Sequence, residues 1–128
     1  MSPKFSLNRG DVVVADLRGA EGTEKLGVRP CVVVQNDVGN KHSPLTIIVP
    51  VTDEAQFKNL PVQVPIPAAE LGPDGKNSIA ECGHVRAIDR DARIHRKIST
   101  LSHETMLAID QALRVSLGLA MGGSASIE

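Results

Sequence analysis

Apolar residues change their spacing near residue 102, and this change divides the 128-residue chain into a β part and a single helix. Ahead of that point they fall in short β-branched or alternating runs separated by Gly, Pro and polar residues, which is the pattern of strands. Beyond it they recur every three or four residues, which is the pattern of an amphipathic helix. The strand runs are 11–16, 30–35, 45–52, 62–66, 78–88 and 94–98, and the helical stripe is Met106, Ile109, Leu113 and Leu117.

Five or six short strands followed by one helix predict a mainly β, small α+β fold, in which the helix packs on a curled, mostly antiparallel sheet. Three prolines, Pro61, Pro65 and Pro67, place the strand around them at a sheet edge, because proline cannot donate to a neighbouring strand. Gly83 indicates a bulge or a close backbone approach in its own run. Ser102 is the expected N-cap of the helix.

The length of the chain fits a single domain, which we place at residues 1–121, followed by a flexible C-terminal tail at 122–128. The first residues lack the apolar run of a signal peptide, and no segment is long enough to span a bilayer. Cys31 and Cys82 lie far apart in strand-like surroundings, outside any CxxC pair. We expect them to be reduced and buried, as in a cytoplasmic protein without membrane contact.

Charge and aromatic content restrict the ligands that the chain can bind. A formal net charge of −1 and a pI near 6.4 argue against a protein that coats duplex nucleic acid, but they allow a local basic site. Because the chain has no Trp, no Tyr and two Phe, it cannot hold single strands by stacking bases on aromatic rings. It has no P-loop, GxGxxG, HExxH or GxSxG motif, and its four histidines lack metal-ligand spacing. No metal and no cofactor is therefore expected.

Arg29 is the first candidate for a functional side chain, since it stands in a Gly-Val-Arg-Pro segment directly ahead of an apolar strand. The preceding glycine lets the loop bend, and the following proline favours an extended backbone at Arg29. A loop residue held on a rigid strand is a common way to present a binding or catalytic group. The same arginine could instead cap the strand and pair at the surface with one of three carboxylates, Asp16, Glu21 and Glu24.

Several short segments, taken together, resemble the MazF/PemK family of toxin endoribonucleases. They follow one another in the order and spacing of that family, and the resemblance extends from residue 9 to about residue 119. The segments are Arg9-Gly10-Asp11-Val12-Val13, Gly22-Thr23-Glu24, Gly27-Val28-Arg29-Pro30, Val34-Gln35-Asn36-Asp37, Gly39-Asn40, Ser43-Pro44, Val49-Pro50-Val51-Thr52 and Arg86-Ala87-Ile88-Asp89.

This resemblance implies an SH3-like barrel of the CcdB/MazF type that forms a homodimer. It implies a growth-arresting toxin of a type II toxin–antitoxin system, which cuts single-stranded RNA such as mRNA sequence-specifically and without a metal ion. In that reaction the ribose 2′-hydroxyl attacks the phosphate and leaves 2′,3′-cyclic phosphate and 5′-hydroxyl ends. The resemblance also implies a MazE-like antitoxin whose flexible segment occupies the RNA groove.

The resemblance assigns site residues as well. Arg29 matches the family's catalytic arginine, whose fork and charge suit a phosphate, and Thr52 matches its catalytic threonine, which can donate a hydrogen bond to that phosphate. The proton acceptor is left open between Arg29 and Glu24. Thr23 and Glu24 equally suit a solvated loop, and Asn36 equally suits the start of a turn. The residues expected to bind substrate are Thr23, Glu24, Lys25, Asn36, His84 and Arg86.

Two segments depart from the family pattern. Lys25-Leu26 stands where many relatives carry Gln-Gly or Gln-Ala, and the catalytic arginine and aspartate of the PemK branch are absent from Glu81-Cys82-Gly83-His84. The pair Arg29 and Thr52 is therefore the arrangement that carries over. The alternative from another class is a CcdB-like, non-catalytic protein inhibitor of DNA gyrase, which is disfavoured because this tail lacks an apolar or aromatic tip.

Overall fold

The computed structural model describes residues 6–19 and 27–120, so the tail expected at 122–128 lies outside the described residues. Strands, short helices and one long helix follow one another in this part of the chain. The strands are β1 (Asp11–Asp16), β2 (Val28–Val33), β3 (Leu45–Asp53), β4 (Gln63–Ile66), β5 (Ser78–Glu81), β6 (Arg86–Asp89) and β7 (Ile94–Thr100). The helices are α1 (Asp37–His42), α2 (Arg90–Arg93) and α3 (His103–Leu117), with 3₁₀ turns at Glu54–Gln56 and Ala68–Glu70.

The described strands form one antiparallel sheet, in which six lie side by side in the order β4-β5-β3-β2-β1-β7. The seventh, β6, pairs with the first half of β3, so β5 and β6 share one side of this long strand. The predicted fold class, a mainly antiparallel sheet with a C-terminal helix, is confirmed, and β4 is an edge strand as predicted. The described sheet does not close into a complete barrel of the SH3-like kind that the resemblance implies, because β4 and β7 at its ends each pair with one strand.

The run 78–88, which we expected to be one strand, is two strands separated by a turn. β5 pairs with the last three residues of β3, and β6 pairs with the first four residues of β3. The turn between β5 and β6 does not pair with β3. Pro50 lies at this gap, and it has no N–H with which to bond a paired strand. Gly83 lies in the turn itself, where the N–H of His84 donates to the carbonyl of Glu81 at 3.0 Å.

The polar connection expected at 36–44 contains the short helix α1. Asn36 caps this helix, since its Oδ1 accepts a hydrogen bond from the N–H of Gly39 at 2.7 Å. The Asn40 side chain is buried beneath the helix, and its Oδ1 accepts from Oγ1 of Thr46 on β3 at 2.8 Å. Six residues are too few for an apolar period to show in a sequence, so this helix depends on its cap and on Asn40.

Alternate residues of the central strands enter two apolar clusters, one on each face of the sheet. Val32 on β2 and Val49 on β3 belong to the cluster that includes Ile109 and Leu113 of α3. Val33, the next residue of β2, belongs to the other cluster. Because both faces are covered, β2 has an uninterrupted apolar sequence and no alternation.

Helix α3 begins with the predicted cap, because Oγ of Ser102 accepts a hydrogen bond from the N–H of Thr105 at 3.1 Å. Glu70 binds the same helix end. Its Oε1 accepts from the N–H of Ser102 at 2.8 Å, and its Oε2 accepts from Oγ1 of Thr105 at 2.9 Å. Gly118 ends the helix in the left-handed conformation, with a φ of 69°.

The contacts of Glu70 predict an acid-sensitive helix end. Partial burial alone would raise the pKa of the Glu70 carboxyl, but the hydrogen bonds from Ser102 and Thr105 outweigh burial and hold the pKa below its ordinary value of 4.5. A carboxyl whose pKa is lower in the folded state stabilises the fold above its unfolded pKa, and this stabilisation is lost as the pH falls through the folded pKa.

We therefore expect Glu70→Gln to lower the free energy of unfolding at pH 7 and to flatten its decline below pH 4.5. Urea unfolding of both proteins at pH 7, 5 and 3 measures this. If the two proteins differ in free energy of unfolding by as much at pH 3 as at pH 7, the stabilising role of the Glu70 carboxylate is contradicted.

Candidate active site

The two residues predicted to be catalytic lie on neighbouring central strands. Arg29 is the second residue of β2, and Thr52 is the last but one of β3. Cys31 pairs with Pro50, so the same antiparallel register, continued by two residues, places Arg29 level with Thr52 and on the same face. The half-buried Arg29 guanidinium reaches β3, where Nη1 donates to the carbonyl of Val51 at 3.5 Å. The fold thus brings the predicted pair together.

The hydroxyl of Thr52 belongs to a buried polar cluster. Its Oγ1 donates to Oε2 of Glu81 on β5 at 3.0 Å. Gln63 on β4 donates from Nε2 to both carboxylate oxygens of Glu81 at 3.3 Å. All three residues are at most 9% exposed, so the Glu81 carboxylate is held by side-chain hydrogen bonds and is largely removed from water.

Arg86 is a second cation in this region. It is the first residue of β6 and pairs with Ile48 of β3. Burial raises the pKa of the Cys31 thiol to about 12, and the nearby positive charges of Arg29 and Arg86 oppose that rise. Both guanidinium groups therefore lie near enough to this buried sulfur for their charges to act on it. Within the described part of the chain, Nη1 of Arg86 is buried without a hydrogen-bond partner, which favours the binding of an anion.

A cleft of about 410 Å³ adjoins Arg29. Lys76 and Arg96 line it as well, against one carboxylate, that of Asp74, so the charged residues of the lining are mostly positive. Val28 and Pro30 in this lining alternate with Arg29 along β2, so the cleft lies mainly on the sheet face opposite to the one that the Arg29 and Thr52 side chains share. The rest of the lining is Val14, Val28, Pro30, Leu71, Pro73, Gly75, Ser78 and Ile98.

Comparison with known proteins shows which family has this arrangement. The sequence profile of the PemK-like, MazF-like toxins of type II toxin–antitoxin systems matches residues 8–117. The chain belongs to this family. It is 40% identical over 113 residues to the Endoribonuclease MazF of Staphylococcus epidermidis, a match that covers 88% of this chain and 92% of that protein. The prediction of a MazF-type toxin endoribonuclease is confirmed.

Solved structures share the fold of the MazF-like toxin. MazF of Deinococcus radiodurans superimposes with a TM-score of 0.78 at 22% identity, over 91% of this chain and 100% of that one. A mycobacterial endoribonuclease in complex with its cognate antitoxin superimposes with a TM-score of 0.70 at 21% identity, over 91% and 97% of the two chains. At these identities the likeness concerns the fold, that is, the sheet and its C-terminal helix.

The other predicted binding residues of the MazF-like toxin lie in different places. His84 is half-buried in the turn between β5 and β6, near Glu81. Asn36 follows the opposite end of β2, roughly 20 Å from Arg29 along an extended strand, and its Oδ1 is engaged in capping α1. Within one chain the fold does not bring Asn36 to Arg29. The residues that lie outside the described ranges are Thr23, Glu24 and Lys25.

Asp16, one of the carboxylates that could pair with Arg29 at the surface, forms an ion pair with Arg18. Nη2 of Arg18 lies 2.7 Å from Oδ2 of Asp16, and the side-chain hydrogen bonds of Arg18 lower the pKa of Asp16. The other two carboxylates that could pair with Arg29 lie outside the described residues, and they are Glu21 and Glu24.

Glu81 and Gln63 are the site residues that sequence reasoning missed. One signal was available, a carboxylate between Ala80 and Cys82 in a run of buried residues. A charged residue inside a buried strand requires hydrogen-bond partners, but the sequence does not show which strands supply them.

Two further features of the MazF-like toxin concern metal binding and membrane crossing. No three His, Cys, Asp or Glu side chains within 6–19 and 27–120 are placed to hold a metal ion together. Among the described helices, none has the length and apolar character needed to cross a membrane. Cys31 and Cys82 are buried free thiols, as predicted.

Proposed function

We propose that this toxin cleaves single-stranded RNA, including mRNA, in a sequence-specific reaction that needs no metal ion. The ribose 2′-hydroxyl attacks the adjacent phosphate and yields a 2′,3′-cyclic phosphate and a 5′-hydroxyl end. The observation that carries this proposal is the register that sets Arg29 level with Thr52, and the charge of Arg86 on β6 acts in the same region. Two permanent cations placed together suit a phosphodiester on which negative charge develops during the reaction.

Arg29 holds the scissile phosphate in this proposal. Its guanidinium can donate to two phosphate oxygens at once, and its charge stabilises the transition state. Arg86 offers a further donor through Nη1. Of the two proton acceptors that the family resemblance offers, Glu24 can take the 2′-hydroxyl proton as a carboxylate, whereas Arg29 can take it only as a neutral guanidine, which then becomes the cation. The leaving 5′-oxygen takes up a proton in turn, from the protonated acceptor or from water.

The proposal includes partners and location. Because a mycobacterial relative of the same fold was solved with its cognate antitoxin, we expect a MazE-like antitoxin to bind this toxin and occupy its RNA groove. The toxin is proposed to act as a cytoplasmic homodimer that arrests growth when the antitoxin is lost. Further RNA contacts are proposed for Thr23, Glu24, Lys25, Asn36, His84 and Arg86.

A substrate with a single altered sugar tests the reaction. The cleavage site is first mapped on a long mixed RNA in the presence of EDTA, and a short RNA containing that site is then compared with one carrying deoxyribose at the scissile nucleotide. We expect the RNA to be cut and the substituted strand to stay intact, because it lacks the nucleophile. Cleavage of the substituted strand, or no cleavage of any unstructured RNA with EDTA present, would overturn the proposal.

A further inference from the structure

Glu81 carries a buried carboxylate that neither holds the phosphate nor takes up the proton in the proposed reaction. It is 5% exposed, and it takes no part in the ion pairs formed by the described residues. A buried carboxylate is harder to stabilise than an apolar side chain of similar size, so its partners indicate what it does. Those partners are the hydroxyl of Thr52 and the amide of Gln63.

The orientation of the Gln63 amide is set by the backbone around it. Its Oε1 accepts the N–H of Lys58 at 2.8 Å, so its Nε2 must face the acceptors on the other side. There Nε2 donates to the carbonyl of Gln56 at 3.0 Å and to the Glu81 carboxylate at 3.3 Å. Gln63 therefore donates to the Glu81 carboxylate from one side, and Oγ1 of Thr52 donates to Oε2 of the same group at 3.0 Å.

We propose that Glu81 is a positioning residue that acts through Thr52, an inference that rests on the proposed function. By accepting the hydroxyl hydrogen at 3.0 Å, Glu81 leaves Thr52 with only its oxygen lone pairs to offer to a bound RNA. Thr52 then accepts a hydrogen bond, from the ribose 2′-hydroxyl or from Arg29, and does not donate one to the phosphate. This reverses the donor role that the family resemblance suggests for Thr52.

A double-mutant cycle separates this role from a purely structural one. Glu81→Gln keeps the shape, but the new amide must turn its oxygen to Gln63 and its N–H to Thr52, which reverses the hydrogen bond to the hydroxyl. We expect kcat for RNA cleavage to fall by about 10- to 100-fold with little change in KM. Thr52→Val should lower kcat at least as much. In the Thr52→Val background, Glu81→Gln should lower kcat no further.

Glu70→Gln is the matched control, because Glu70 also accepts a hydrogen bond from a threonine hydroxyl, that of Thr105, but at the end of α3. It should alter stability and leave kcat unchanged. If Glu81→Gln does not purify in folded form, Glu81→Asp, which keeps the charge but shortens the side chain by one methylene, goes through the same cycle.

Equal losses of kcat from Glu81→Gln in the wild-type and Thr52→Val backgrounds would overturn the inference, since Glu81 would then act independently of Thr52. Full activity of Thr52→Val would also overturn it. Neither result would reject the ribonuclease reaction, which fails only if the deoxyribose-substituted strand is cut or no RNA is cut.

Discussion

Replacement of Arg29 by alanine is expected to lower kcat/KM for RNA cleavage by about 10³-fold, the usual scale for loss of a group that stabilises transition-state charge. The change removes a guanidinium that lies level with Thr52 and beside Cys31. A smaller loss of stability is expected as well, because the change removes a half-buried guanidinium and its hydrogen bonds, among them the one to the carbonyl of Val51 at 3.5 Å. Single-turnover cleavage of the mapped RNA, together with thermal unfolding, measures both effects.

Arg29→Lys refines the result, because lysine keeps the charge but cannot hold two phosphate oxygens with one planar fork. We expect it to recover only part of the activity. Arg9→Ala is the control, since Arg9 is paired with Asp110 at 2.7 Å, far along β2 from Arg29. Cutting by Arg29→Ala at the wild-type rate would remove Arg29 from the mechanism.

The elements that the sequence predicted well are those fixed by local patterning. The run 11–16 is β1 with the same bounds, and the helical stripe lies in α3. Ser102 caps that helix as predicted, because a cap depends on residues three positions away. The prolines around β4 placed it at an edge for an equally local reason, the missing N–H.

The features that the sequence did not show depend on contacts between distant segments. The division of 78–88 into β5 and β6 follows from how both pair with β3 around Pro50. The helix α1 is supported by Asn40 and its bond to Thr46, which no periodicity reveals. Such pairings are decided by strand register, and a single sequence contains no direct record of register.

The candidate site was also predicted from the sequence only in part. Arg29 was conspicuous in the sequence because of its neighbours, and the family resemblance added Thr52. The partners of Thr52, Glu81 and Gln63, come from two other strands, and only the order β4-β5-β3 brings them together. The proximity of Arg86 to Cys31 likewise depends on β6 lying against β3.

Arg86→Met is expected to lower kcat/KM by about 10²-fold while leaving the protein as stable as the wild type or more stable by up to about 1 kcal/mol. The first effect follows because Arg86 is the second cation near Cys31. The second follows because Nη1 of Arg86 is buried without a hydrogen-bond partner among the described residues, and methionine removes that unmet donor. Cleavage kinetics and urea unfolding of the same preparation measure the two effects.

Arg9→Met provides the contrast, because the Arg9 guanidinium forms an ion pair with Asp110 at 2.7 Å and donates from Nε to the carbonyl of Val34 at 2.8 Å. We expect it to destabilise the fold by about 1–2 kcal/mol and to leave cleavage unchanged. Replacing a residue that supports packing lowers the stability of the protein. Replacing a residue that binds the substrate lowers activity and can raise stability. If Arg86→Met behaves like Arg9→Met, Arg86 belongs to the scaffold, and Arg29 alone supplies the positive charge at the scissile phosphate.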